Sequence, residues 1–241
     1  MLKNLKPENI LFLDIETVPE VDEFEKLSEK KQQLWEKKSS YFRKDDELPS
    51  DVYQRAGIYA EFGKVICISV GIVYGQGPGT RLRLKSFYGD DEKELLGSFI
   101  QLLEKLSKKP EIFLCAHNGK EFDFPYLARR ILVNNLDLPV LLDVAGKKPW
   151  EVSFIDTMEL WKFGDYKHYT SLDLLAALFN IPGPKDDMDG SMVCDTFWKD
   201  HDLTMIVAYC EKDVLTVVQL FLLFQGKQQI PEDKIESTTF E

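Results

Sequence analysis

Apolar residues run unbroken through Ile10-Leu11-Phe12-Leu13 and resume at Ile15, as in a strand covered on both faces, which predicts a strand over 10–15. Residues 20–44 break this pattern: they are charged and helix-prone, with only Phe24, Leu27, Leu34 and Trp35 as a sparse apolar stripe. Pro49-Ser50-Asp51 marks a helix start, and a second short helix is expected over 52–59. The stretch 20–60 reads as a helical excursion from a core sheet and not as a separate domain. Segments 64–74 and 80–88 flank Gly75-Gln76-Gly77-Pro78-Gly79 and predict a hairpin. After Asp90-Asp91, residues Leu95, Leu96, Phe99, Leu102, Leu103 and Leu106 keep helical spacing. A buried strand is expected over 111–116, a helix over 121–134 and a short strand over 152–155. Ser171 caps a helix running to 179. The last strong element spans 202–224, with apolar residues at 203, 206, 207, 210, 214, 217, 218 and 221. The order of elements suits an α/β fold, a mixed β-sheet with α-helices packed on it. Residues 1–230 are expected to form one domain, and the polar segment 231–241 a frayed C-terminal tail.

Composition narrows the class. The 241 residues are 44% hydrophobic and 29% charged, which is globular and large enough for a substantial core. No apolar run approaches a membrane span, and the first residues lack the apolar stretch of a secretory signal. Cys67, Cys115, Cys194 and Cys210 form no Cys-x-x-Cys pair and lie in apolar segments, so they read as reduced thiols of a cytoplasmic protein. The formal net charge of −11 argues against broad electrostatic coating of nucleic acid, but it leaves local chemistry open.

Three short acidic motifs carry the candidate chemistry. Asp14 and Glu16 stand two apart on a predicted strand and leave the same face; an isolated Asp-x-Glu also marks a strand end reaching solvent. Asp123 falls in the first turn of a predicted helix, where an acid also serves the helix dipole. Tyr209 and Asp213 are four apart on the last helix and border its apolar stripe, a common place for amphipathic packing. Four carboxylates from three distant segments are costly to crowd together unless divalent cations neutralise them. Two cations about 3.5–4 Å apart are the usual machinery for cutting a phosphodiester bond. Weaker candidates are Asp143 and Asp156, the latter read as ending a strand and capping the next helix. Asp187-x-Asp189-Gly190 faintly resembles a calcium loop, but Lys185 and Thr196 stand where its outer acidic ligands belong. His168 and His201 have no partner at metal-ligand spacing, and no phosphate-loop motif supports the use of ATP.

Jointly the motifs resemble those of the DEDDy group of 3′–5′ exonucleases on the ribonuclease-H-like fold, and most closely the proofreading domain of family B DNA polymerases. Phe122-Asp123-Phe124-Pro125-Tyr126-Leu127 matches that family's Phe-Asp-x-Pro-Tyr-Leu, with Asn118 five residues before the Asp. Tyr209-Cys210-x-x-Asp213 matches its third motif, and Ser171-Leu172-Asp173 through Lys185 is similar to the intervening helix and lysine. His117 departs from the tyrosine usual before the Asn. The resemblance implies that Asp14, Glu16, Asp123 and Asp213 hold two Mg²⁺ or Mn²⁺ ions, with Tyr209 orienting the attacking water. Ala208 stands where a histidine-type relative carries His, which favours the tyrosine subgroup. Thr17, Asn118 and Phe122 match positions that grip the terminal nucleotides, and Lys185 is a phosphate contact by the same likeness. The implied substrate is single-stranded nucleic acid, DNA over RNA. The alternatives are an RNA exonuclease and a catalytically silent binding module. No polymerase palm or fingers fit in the remaining length, so a free-standing exonuclease is expected.

Overall fold

The computed structural model describes residues 2–165, 169–182 and 188–240. Six strands form one sheet in the order β5-β4-β1-β2-β3-β6: β1 (Ile10–Pro19), β2 (Gly63–Tyr74), β3 (Arg81–Tyr88), β4 (Phe113–Ala116), β5 (Ile155–Asp156) and β6 (Ile235–Ser237). β1, β2 and β3 are antiparallel neighbours, whereas β4 joins β1, β5 joins β4 and β6 joins β3 in parallel. The helices are α1 (Glu29–Ser39), α2 (Glu92–Leu106), α3 (Asp123–Val133), α4 (Thr157–Lys162), α5 (Leu172–Leu178), α6 (Val193–Asp195) and α7 (Leu203–Phe224). This is the expected mixed sheet flanked by helices. No helix among the described residues is long and apolar enough to cross a membrane.

The period-2 alternation of β1 divides the core in two. Leu11, Leu13 and Ile15 join a cluster with α2 and α3, through Leu96, Phe99, Leu103, Phe124 and Leu127. Ile10 and Phe12 face the other way, onto Val214, Val217, Val218 and Phe221 of α7, with the Phe12 and Phe221 rings edge-on at 5.4 Å. Asp14 and Glu16 continue this second row, so the strand geometry directs both acids toward the N-terminal half of α7. The caps follow the expected chemistry: Asp91, Ser171 and Asp202 each accept a backbone N–H from the first turn of the following helix. Between β2 and β3, Gly75 has φ 78°, and a Cβ there would lie 2.2 Å from the Gly79 carbonyl oxygen, so the hairpin requires glycine.

One buried ion pair locks α2 and α3 to the start of β2. Glu92 accepts two hydrogen bonds from Arg130 (2.9 and 2.6 Å), one from the Val65 backbone and one from Asn134. Arg130 also donates to the Ala60 carbonyl, which ties in the end of the excursion.

The excursion builds its own small core. Trp35 is fully buried among Phe42, Tyr53, Tyr59 and Phe62, and its indole N–H donates to the Pro49 carbonyl at 2.8 Å. Helix occupies only 29–39 of the first expected stretch, Leu34 is exposed, and the second helix is a 3-10 turn over Tyr53–Ile58. The Tyr126 hydroxyl of α3 donates to Gly57 at 2.8 Å, so the excursion is fastened to the sheet end that carries the acids.

Two expectations need correction. The short strand lies at Ile155–Asp156 and not at 152–155, because Cys115 and Ala116 of β4 pair there. The segment after Pro231 is not frayed: Ile235, Glu236 and Ser237 pair with Leu82, Arg83 and Leu84 as a sheet edge. Glu236 accepts from Arg83 (2.6 Å) and Tyr74 (3.0 Å), while Glu211 of α7 accepts hydroxyls from Ser86, Ser237 and Thr239. A three-residue strand is too short to show alternation, and its partners are remote in sequence.

Replacing Trp35 by Ala empties the centre of the excursion's core. A loss of about 3–5 kcal/mol is expected for a fully buried tryptophan. Limited proteolysis should therefore cut first within 20–62, before the sheet; simultaneous loss of both would show that the excursion has no separate core.

Candidate active site

Three elements bring the acids together. β1 supplies Asp14 and Glu16, and the β1–β2 register shifts between Glu16 and Thr17, a bulge of the kind that re-aims side chains at strand ends. Glu16 is 8% exposed and Asp14 half-buried. Asp123 opens α3, is 2% exposed, and acts through its charge on both β1 acids. α7 supplies Tyr209 and Asp213 one turn apart on one face, near enough for the tyrosine to hold down part of the rise in the Asp213 pKa. Cys210, on the same helix and fully buried, donates its thiol to Asp14 at Oδ2 (3.4 Å) and at the carbonyl (3.5 Å).

The turn from β4 into α3 is shaped by backbone conformation and by one aspartate. Asn118 has φ 60°, a left-handed conformation that asparagine tolerates better than most residues. Gly119 follows because a Cβ there would sit 2.4 Å from the Ala116 side chain. Buried Asp156 accepts from the backbones of Asn118 (2.9 Å), Lys120 (3.1 Å) and Met158 (2.9 Å), fixing this turn and capping α4 together. His117 bridges Thr157 and the Thr170 carbonyl, both at 2.9 Å. A carbonyl only accepts, so Nε2 carries the proton and Nδ1 takes the threonine hydroxyl; burial holds the imidazole pKa down, in keeping with a neutral ring.

Of the other sequence-predicted residues, Thr17 is half-buried at the β1 bulge. Phe122 packs its ring 5.4 Å from Tyr126. Asn118 leaves a buried Oδ1 without a partner. Lys185, Asp187 and His168 lie outside the described residues. Asp156 ends its strand and caps α4 as its sequence position implies, and beyond that it holds the Asn118 turn, which no local pattern signals. The Cys210 thiol on Asp14 is likewise a contact that spacing does not signal. Its only sign in the sequence is a cysteine on the acid-facing side of the helix.

The electrostatics are those of like charges withdrawn from water. Burial, then the neighbouring Asp123, Asp213 and Glu16, raise Asp14 well above the usual carboxylate range. Burial, then Asp213, does the same to Glu16. Asp123 is raised to about 7 chiefly by burial. Asp213 is also raised to about 7, by burial and then by Asp173. Burial and the Asp213 charge push the Tyr209 hydroxyl far up, so it remains a protonated donor. Among the described residues, no lysine or arginine forms an ion pair with any of the four acids. Asp123 Oδ1 is buried without a hydrogen-bond partner. A buried orphan oxygen amid uncompensated carboxylates fits a divalent cation of the hard, oxygen-preferring kind.

Comparisons with known proteins agree with this architecture. The chain is similar over residues 58–240 to a family described as predicted 3′–5′ exonucleases related to the exonuclease domain of PolB. The match begins after β1, so Asp14 and Glu16 precede it. A search of curated protein sequences finds no match. Among solved structures, the family B DNA polymerase of the hyperthermophilic archaeon Pyrobaculum calidifontis superposes with a TM-score of 0.50 at 15% identity, covering 90% of this chain. The chain spans only 27% of that polymerase, and at this identity the likeness shows the fold, a PolB-exonuclease arrangement of the ribonuclease-H-like type. The family match extends from the end of the excursion through α3 and α7 to the β6 edge, so the chain belongs to the family of predicted 3′–5′ exonucleases related to the exonuclease domain of PolB.

Proposed function

We propose that this protein is a metal-dependent 3′–5′ exonuclease of the tyrosine type that removes nucleotides from the 3′ end of single-stranded DNA. The observation that carries the proposal is the buried cluster of Asp14, Glu16, Asp123 and Asp213, which among the described residues has no protein cation to balance it. These four acids would hold the metal, Mg²⁺ or Mn²⁺. When bound, two such ions would supply charge neutralisation, activation of the attacking water and stabilisation of the leaving 3′ oxygen.

The remaining tasks fall to side chains of this chain. Tyr209 acts as a donor that orients the nucleophile and not as its base, since its hydroxyl keeps its proton throughout the neutral range. Asp213, one turn away on the same helix, is the one of the four acids nearest in sequence to that tyrosine. Asn118, fixed in the left-handed conformation beside the acids, offers its amide to the terminal nucleotide, and Phe122 offers a ring face at the start of α3. Thr17 borders the same end of β1, and Lys185 is assigned to a phosphate. Family-B-like motifs favour DNA over RNA.

Asp213→Asn should abolish hydrolysis yet raise the melting temperature in EDTA at pH 8. The sign follows from the raised folded-state pKa values: the native acids bind protons that the unfolded chain releases. Stability from them is complete below about pH 4 and is lost as pH rises through about 7. The wild type in EDTA should therefore melt lower at pH 8 than at pH 5, and Mn²⁺ should restore the loss. Each 1 kcal/mol relieved should appear as about 2–4 °C. A pH-independent wild-type melting curve in EDTA would remove the electrostatic argument.

Tyr209→Phe keeps the ring and loses one hydrogen-bond donor. Single-turnover rates should fall by about 10–10³-fold with metal affinity nearly unchanged; an unaltered rate would reduce the tyrosine to packing.

Polarity is read from a 5′-labelled single strand incubated with Mg²⁺ or Mn²⁺. Shortening from the 3′ end is expected, with matched DNA digested faster than RNA and blunt duplex a poor substrate, because terminal pairs must open first. Efficient cutting of a closed circle would make the enzyme an endonuclease. Binding without cleavage in any metal would leave a silent module.

A further inference from the structure

Cys210 gives the acid cluster a donor of different chemistry. Its sulfur and one carboxylate oxygen each from Asp14 and Glu16 all lie within 4.8 Å of one another. A tetrahedral zinc ion with Zn–S of about 2.3 Å and Zn–O of about 2.1 Å holds sulfur and oxygen about 3.6 Å apart. The Cys210 sulfur stands 3.4 Å from Asp14 Oδ2, close to that separation. The single thiol proton is within reach of both Asp14 Oδ2 and the Asp14 carbonyl. Cys67, opposite Glu16 in the β1–β2 ladder, is a second buried thiol in the same core cluster as Cys210. Beside the trio, Asp123 is 2% exposed, acts on Asp14 through its charge and leaves Oδ1 buried without a partner. Mg²⁺ and Mn²⁺ prefer the oxygens, whereas thiolate selects Zn²⁺ and its softer relative Cd²⁺.

We propose that Asp14, Glu16 and Cys210 form a thiophilic metal site in which Zn²⁺ or Cd²⁺ replaces the Cys210 thiol proton and inhibits the enzyme. The metal–sulfur bond forms as the S–H bond breaks, and the proton leaves to solvent with no change of oxidation state. A metal held there engages both β1 acids and pulls them toward sulfur, which withdraws them from the Mg²⁺ geometry. Binding stands on the geometry of the trio and its buried surroundings; inhibition rests on the exonuclease reading above.

The test titrates Cd²⁺ into the metal-free protein and follows the ultraviolet sulfur-to-cadmium charge-transfer band. The wild type should show a band that saturates at one equivalent. Cys194→Ser, in α6 and outside the trio, should keep it, and Cys210→Ser should lose it. Asp14→Asn and Glu16→Gln should keep folded protein but weaken Cd²⁺ affinity about tenfold or more. They test the site without altering sulfur, and Cys210→Ala replaces Cys210→Ser if the serine variant does not fold. In hydrolysis assays, each variant being compared with its own Mg²⁺ rate, Cys210→Ser should need about tenfold more Cd²⁺ for half-inhibition than Cys194→Ser. No band in the wild type, a full band in Cys210→Ser, or unchanged affinity in both carboxylate variants would overturn the proposal. A normal band in a protein that hydrolyses nothing would leave the site standing and overturn the exonuclease reading instead.

Discussion

The constraint on which this structure depends is the withdrawal of four carboxylates from water at one end of a hydrophobic row. Ile10 and Phe12 cover α7, and the same face of β1 then turns acidic at Asp14 and Glu16. Packing that makes the strand stable therefore delivers the acids to the helix carrying Tyr209 and Asp213. The cost is desolvation and mutual repulsion, visible as raised proton affinities at all four positions. Hydrophobic burial around the cluster holds the acids where their charges repel, with no lysine or arginine paired to them among the described residues.

The surroundings are arranged to keep that cluster from relaxing. Asp156 uses one carboxylate to secure the β4–α3 turn and the start of α4, so Asp123 enters its helix at a fixed angle. Glu92 and Arg130 make a buried, fully engaged pair between α2 and α3. Removing either partner of such a pair strands a charge, so its main effect is to fix geometry. Tyr126, three residues beyond Asp123, fastens the excursion to the same end of the sheet through Gly57. Glu211, between Tyr209 and Asp213 in sequence, anchors the β6 edge and so steadies α7 from its other side.

Hard and soft donors coexist at the centre. The oxygens match cations that keep most of their water, while the Cys210 thiol introduces a ligand that such cations do not need. In the metal-free protein the thiol acts as a weak donor that steadies Asp14. The same contact is what would give the cluster the softer coordination chemistry proposed above.

Local pattern was sufficient wherever a signal repeats within one element. The spacing of Leu95, Leu96, Phe99 and Leu103 defined α2, that of Val207, Cys210, Val214, Val217 and Phe221 defined α7, and the Gly75–Gly79 glycines defined the hairpin. The same periodicities put Asp14 with Glu16 on one face, and Tyr209 with Asp213 on another, which made the acids legible as candidates. Only tertiary structure could decide what depends on partners far along the chain. β6 is three residues long and exists through pairing with β3, so nothing local distinguished it from a tail. Asp156 reaches Asn118 because β4 and β5 run parallel in one register, and Cys210 meets Asp14 across 196 positions. Sequence determines which faces are apolar and which acids interrupt them; which of those interruptions meet is settled by long-range packing, since only the folded chain brings remote polar groups within hydrogen-bond reach.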